Sequence, residues 1–244
     1  MKKLYFTLFA LLFSAIAFGQ KTEFYIALNS GIFNFNGSAA SQSTDIFDSP
    51  FTGKSHAILG FGAQKALSYG VSLNLRRVTK NKMLLGVDLG FEVLRSQASV
   101  DTVYGGDFVA TKFDGTGKIF VNNSFLNLNP YTGYRFAFKD FSFDLTGGFD
   151  FAIRFKETTR GNATISNGGR ITVFDRTTPN VWFDFRPRVQ LQANYKKLGL
   201  YLGYSYGLVD YTMWSKAPTN QDGSNTSADA YARLLRFGLT YKIK

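Results

Sequence analysis

At 244 residues the chain is long enough for one ordinary domain or one closed sheet. It has no cysteine, which excludes disulfides, thiolate metal sites and a lipid-modified N-terminal cysteine. Its formal charge of +11 is spread over turns, loops and strand interiors, which argues against nucleic acid as a partner and for anionic lipid at the rims.

Residues 1–19, MKKLYFTLFALLFSAIAFG, carry two lysines, an apolar run and a small-residue Ala17-x-Gly19 site. This is the pattern of a secretory signal peptide cut before Gln20, leaving 20–244 as a single domain. No later apolar run reaches the roughly 18 residues of a spanning helix, so the exported chain is expected to cross a membrane as strands.

The remaining chain alternates with period two. Phe24, Ile26, Leu28 and Ile32 oppose Tyr25, Ala27, Asn29 and Gly31. Residues 37–55 lose the period and read as a long loop. Leu59, Phe61, Tyr69, Val71, Leu73 and Leu75 then alternate with Gly60, Gly62, Gln64, Ser72, Asn74 and Arg76, and Lys65 on the apolar side predicts a bulge. After a basic turn at 79–82, Leu85, Val87, Leu89, Phe91 and Val93 oppose Gly86, Asp88, Gly90 and Glu92. A second loop is expected at 96–117.

Leu126, Leu128, Tyr134, Phe136 and Phe138 oppose Asn127, Asn129, Tyr131, Gly133 and Arg135 up to a two-residue turn, Lys139-Asp140. The next stretch, 141–155, FSFDLTGGFDFAIRF, is the strongest signal in the chain. Its odd positions are almost all Phe, Leu or Ile, while the even ones include Asp144, Asp150 and Arg154. A helix would scatter those phenylalanines around its circumference; a strand gathers them on one face. A third loop is expected at 157–179. Val181, Phe183, Phe185, Val189 and Leu191 oppose Trp182, Asp184, Arg186, Arg188 and Gln190, with a distortion expected at Pro187. A Lys196-Lys197 turn leads to Leu200–Leu208 alternation, a fourth loop at 212–229, and a last strand through Leu235, Phe237, Leu239, Tyr241 and Ile243.

About eight strands with alternately short and long connections describe an all-β, closed, antiparallel up-and-down transmembrane barrel, with short periplasmic turns and long extracellular loops. The 26 Phe and 13 Tyr suit a lipid-facing surface with aromatic girdles. A water-soluble barrel would bury its apolar face, but here charges share a face with Gly and Ser, the residues that fit a narrow interior. The inner face is therefore expected to hold Asp88, Glu92, Arg135, Asp144, Asp150, Arg154, Asp184, Arg186 and Arg188. The Lys139-Asp140 turn sets Arg135 opposite Asp144, and the Lys196-Lys197 turn sets Arg186 and Arg188 opposite Gly207 and Ser205. About eight strands enclose room for side chains only, which favours a salt-bridged filling over a solute channel.

Three stretches resemble the outer-membrane β-barrel family of Bacteroidota that includes the PorT-like proteins. They are Ala17-Phe18-Gly19-Gln20, the segment FLNLNPYTGYRF at 125–136 and LGYSYGL at 202–208. Lys244 stands where outer-membrane barrels usually end in an aromatic residue. The resemblance implies a location in the cell outer membrane and a barrel fold. The expected partners are outer-membrane lipids, lipopolysaccharide and other envelope proteins, with the chain a monomer.

No catalytic, cofactor or metal constellation stands out. His56, the sole histidine, would be the residue of a lipid-modifying activity, but a solvated rim position is the simpler reading. Gly115-Thr116-Gly117-Lys118 lacks phosphate-loop spacing. The acids Asp45, Asp48, Asp101, Asp107 and Asp114 read as solvated loop charges, with calcium as the alternative. The expected role is structural or interactive without catalysis; the alternatives are a narrow porin-like channel and a lipid-modifying enzyme.

Overall fold

The computed structural model describes residues 21–49, 53–58, 61–105, 111–177, 181–213 and 228–243. The signal-peptide expectation, Leu59 and Gly60, Asp107 and most of the 212–229 loop lie outside the described residues. In chain order the strands are β1 (Lys21–Asn36), β2 (Ala40–Ser41), β3 (Ser43–Ser49), β4 (Lys54–Ala57), β5 (Phe61–Gly62), β6 (Gln64–Val78) and β7 (Met83–Gly105). They continue with β8 (Thr111–Ala137), β9 (Phe141–Ile165), β10 (Arg170–Thr177), β11 (Phe183–Tyr195), β12 (Leu198–Tyr206) and β13 (Tyr231–Lys242).

The ladders close on themselves. β1 pairs with β6, β6 with β7, β7 with β8 and β8 with β9, each antiparallel. β9 pairs with β11, β11 with β12, β12 with β13, and β13 returns to β1, again antiparallel. Closure leaves this circuit without an edge strand, the feature that otherwise invites association through unpaired peptide groups.

The turns are those the sequence predicts. Arg135 stands opposite Asp144, and Phe138 N–H donates to the Phe141 carbonyl at 2.8 Å across Lys139-Asp140. Arg188 stands opposite Ser205, with Lys196 at φ 53° in the turn. Lys82, at φ 63°, closes the basic turn between β6 and β7. The bulge expected at Lys65 is present as a register shift between Lys65 and Tyr69.

Other expectations need correction. The pairing of β11 with β9 runs through Pro187 without a shift. Phe185 accepts from Leu208 on the β12 side, so the next like-facing residue, Pro187, turns its missing N–H toward β12, and that ladder stops at Arg188. Val181 turns inward and Trp182 outward, the reverse of the alternation, because both precede β11. There the chain is tied to β9 by Arg154, which donates its backbone N–H to Trp182 and its Nε to Val181.

The expected loops at 37–55, 96–117 and 157–179 contain strands. β7, β8 and β9 run on beyond the apolar stretch, β3 pairs parallel to the end of β7, and β4 pairs with β3. β10 joins β4 to β9, so a second, smaller circuit stands on the first. Its core is Ile46, Val100, Val103, Ile119, Ala163 and Val173. Few and small apolar residues fill it, and its outward face is mostly polar: Lys112, Asp114, Thr116 and Lys118 on β8 are exposed, beside exposed Phe47 on β3 and Phe174 on β10. Bulges at Val100/Thr102 and Ser124/Phe125 also shift the alternation, which is why this region looks aperiodic.

The seam between the first and last strands tests closure. Leu28 faces Leu239 across β1 and β13, and the native chain offers no competing thiol. We expect cysteines at 28 and 239 to crosslink under mild oxidation, while a 28/191 pair stays reduced; equal behaviour of the two pairs would mean the seam is open.

Candidate functional site

The inner face of the circuit is an ionic lattice. Near the turns, Glu23 of β1 meets Arg76 of β6 at 3.1 Å, Arg135 of β8 at 2.9 Å and Lys242 of β13. Asp144 of β9 meets Arg76 at 2.8 Å and Arg135 at 2.7 Å. The Arg135–Asp144 pair is bidentate, with Nη2 reaching the second carboxylate oxygen at 2.9 Å. Arg76 lies 3.9 Å above the Tyr25 ring, whose hydroxyl donates to Glu23. Asn194 adds a donor to Asp144 at 3.0 Å.

One layer further in, Arg188 bridges Asp88 at 3.4 Å and Asp150 at 3.5 Å. Arg236 of β13 holds Asp150 at 2.8 Å and Glu92 at 2.9 Å. Arg186 reaches Glu92 at 2.9 Å, Asp184 at 3.5 Å and Asp150 at 3.8 Å. The acids Glu23, Asp88, Glu92, Asp144, Asp150 and Asp184 thus face six inward cations, Arg76, Arg135, Arg186, Arg188, Arg236 and Lys242, and exposed Lys21 approaches Glu23 from outside at 3.9 Å. Glycines make the room. A Cβ at Gly86 would strike the Tyr131 ring and one at Gly238 the Tyr201 ring, so these tyrosines lie across the interior where a larger neighbour could not stand.

Arg154 closes the lattice toward the outer end. It donates to Asn123 at 2.9 Å, meets Glu157 at 2.8 Å and stacks 4.9 Å above Tyr211. Tyr211, in the segment after β12, donates to Asp184 at 2.8 Å; burial, with the Asp184 charge beside it, pushes its hydroxyl well above the ordinary tyrosine range. Above it sits an apolar cap of Phe33, Phe35, Leu94, Phe125, Val181 and Leu234. Phe35 packs edge-on against Phe33, Phe61 and Tyr211 at about 5 Å. At the rim Asp229 accepts from the Ser38 backbone N–H and hydroxyl, each at 2.7 Å, and these bonds hold its carboxyl below the usual range.

All nine residues singled out in the sequence line this interior. Sequence reasoning placed Arg76 on the polar face but left it out of the inner ionic set, and it missed Glu23, Arg236 and Lys242, though each falls on the inward parity of a strand whose outward residues were recognised. It also missed the cap: Phe33 and Phe35 share the inward parity of Tyr25 and Ala27, and only the change from small to large along that face marks it.

His56 lies on β4 in the outer circuit, with Nδ1 2.8 Å from Asp175 of β10. Among the described residues no hydroxyl bonds to it; the neighbouring Ser55 donates to Asp48 instead. Among the described residues no group of three or more potential ligands is arranged for a metal ion.

No known family matches the chain, and no curated protein does. Several solved structures are similar over most of it. Ail, the attachment invasion locus protein of Yersinia pestis, is 10% identical with a TM-score of 0.36, covering 92% of this chain and 100% of its own. Neisserial surface protein A is 10% identical with a TM-score of 0.35, covering 91% of this chain and 99% of its own. The fold assignment rests on the strand pairings themselves.

Removing one member of the lattice leaves its partners buried and unbalanced. Arg236→Met is expected to cost about 3–5 kcal/mol of folding free energy in denaturant titration. Arg236→Met with Glu92→Leu should cost less than the two single changes together, because both lose the same interaction. A loss within about 0.5 kcal/mol, typical of a surface site, would contradict the lattice's importance.

Proposed function

We propose that the chain is an integral outer-membrane β-barrel protein whose eight-stranded circuit crosses the bilayer. Its short turns face the periplasm and its second circuit stands outside. It acts as a monomeric structural or interaction protein without catalysis. The observation that carries this reading is the inversion of polarity across the wall. Outward residues on every strand of the circuit are apolar and half-exposed, among them Leu28, Leu73, Leu89, Leu128, Phe149, Val189, Leu202 and Leu239, while the buried inward residues are mostly charged, polar or small. A water-soluble sheet would have this the other way round.

The apolar outward rows are also bounded. On β9 they run from Phe141 to Phe155, and exposed Arg160, Asn162 and Thr164 follow. At roughly 3.3 Å per residue and a tilt of about 45°, such a stretch spans about 30 Å, the thickness of a hydrocarbon core. The opposite end is marked by lysines in the turns, Lys80, Lys82, Lys139, Lys196 and Lys197. The resemblance to the Bacteroidota barrels agrees with this placement.

A filled interior argues against conduction. Between Arg76, Asp88, Tyr131 and Arg188 the free volume is about 10 Å³, room for about one water. The apolar cap lies beyond. Planar-bilayer recordings of the purified, reconstituted protein should show no steady unitary conductance, and discrete reproducible openings would favour the channel. Envelope lipid profiles should be unchanged by His56→Ala; loss of a modified lipid species would restore the enzyme reading.

A further inference from the structure

On the outward face of the second circuit, β8, β9 and β10 form an open groove of about 470 Å³ lined by Lys118, Phe120, Arg160, Asn162, Thr172 and Phe174. That volume lies within the range of small-ligand sites, roughly 300–1,000 Å³. Phe120 pairs with Arg160, Arg160 with Phe174, Lys118 with Asn162 and Asn162 with Thr172, so two cross-strand rows hold the whole set.

Its cations differ from those inside the barrel. Every guanidinium of the inner lattice reaches a carboxylate, whereas Lys118 and Arg160 in the groove, and Arg95 beside it on β7, have no acidic partner among the described residues. Instead Arg160 lies 4.9 Å above the Phe174 ring and Arg95 4.6 Å above the Phe120 ring. Stacking orients a guanidinium and leaves its edge donors free, the arrangement that suits phosphate. Thr172 donates to Asn162 Oδ1 at 3.1 Å, which leaves the Asn162 amide hydrogens for a ligand. The Asp175 carboxylate, close by on β10, is engaged by His56. The groove therefore offers positive charge, two aromatic faces and amide donors, and no free carboxylate lines it.

Its height selects the ligand. Leu126 is the last exposed large apolar residue of β8, and half-buried Phe120 lies six residues further along the outward face. That is about 20 Å along the strand and about 14 Å along the membrane normal at a tilt near 45°. The polar zone of a phospholipid leaflet is only about 5–8 Å deep, too shallow to reach it. A headgroup built of several sugars does reach it. Resting on the membrane placement above, we propose that the groove binds the phosphorylated sugar headgroup of an outer-leaflet glycolipid, with Arg160 and Lys118 on phosphate and Phe120 and Phe174 against sugar rings.

The test uses the full chain in lipid nanodiscs and a rough-type lipopolysaccharide bearing phosphorylated core sugars, with binding read by native mass spectrometry. Wild type should bind it at least about tenfold more tightly than the phosphatase-treated lipid, and Lys118→Glu/Arg160→Glu should lose that preference. The 28/239 crosslink verifies that the variant is folded. Equal binding of the two lipids, or of the two proteins, would overturn the proposal while leaving the barrel intact. Equally tight binding of the free, delipidated core oligosaccharide would overturn the assignment to a membrane glycolipid. Failure of the wild type to insert into bilayers would overturn the membrane placement and the inference with it, an outcome visible before any lipid is added.

Discussion

Closure of the ladder between β1 and β13 is the constraint on which the other features depend. Pairing Leu28 with Leu239 and Ser30 with Phe237 fixes the register of the first and last strands. That register sets Glu23 within reach of Lys242 from β13, Arg76 from β6 and Arg135 from β8. A slip of one residue would exchange the two faces, placing Glu23 and Arg236 outside and Phe24 and Phe237 within. No such slip could keep the charges balanced, so closure and the ionic interior select the same register.

The interior is costly to build. Transferring an ion from water to a low-dielectric site carries a penalty of several kcal/mol that a single partner seldom repays. The lattice answers by sharing. Asp150 meets Arg186, Arg188 and Arg236, Glu92 meets Arg186 and Arg236, and neutral donors such as Asn194 take remaining carboxylate lone pairs. An apolar filling would satisfy the volume equally well. We attribute the ionic one to specificity: charges drawn from β1, β6, β7, β8, β9, β11 and β13 can all be paired in only one arrangement of the strands. The apolar cap of Phe33, Phe35 and Leu94 then separates this lattice from the outer circuit.

The parts legible in sequence were those where both faces carry a strong signal. Phe against Asp at 141–155, or Leu against Gly and Asp at 85–93, leaves one reading, and tight turns at Lys139-Asp140 and Lys196-Lys197 propagate register to Arg135–Asp144 and Arg188–Ser205. The outer circuit was illegible because its outward face is mostly polar and its core small. Thr, Ser and Asn around Val100, Val103 and Ile119 look like loop unless the partner strands β3 and β10 are known. Its pairings are also long-range, joining residues 43–48 to 99–105, and no local pattern encodes them. Arg95, Lys118 and Arg160 shared that fate, since their significance lies in juxtaposition across β7, β8 and β9.

The central claim is that hydrocarbon covers the Phe- and Leu-rich outer wall up to the level of Leu126 and Phe155, and water the wall beyond. Spin labels placed singly at 128, 149 and 164 in the reconstituted protein test it through their relative accessibility to oxygen and to a water-soluble nickel complex. Labels at 128 and 149 should favour oxygen, and the label at 164 should favour nickel. Nickel access at 128 and 149 equal to that at 164, in a chain that stays dissolved without detergent, would contradict the account.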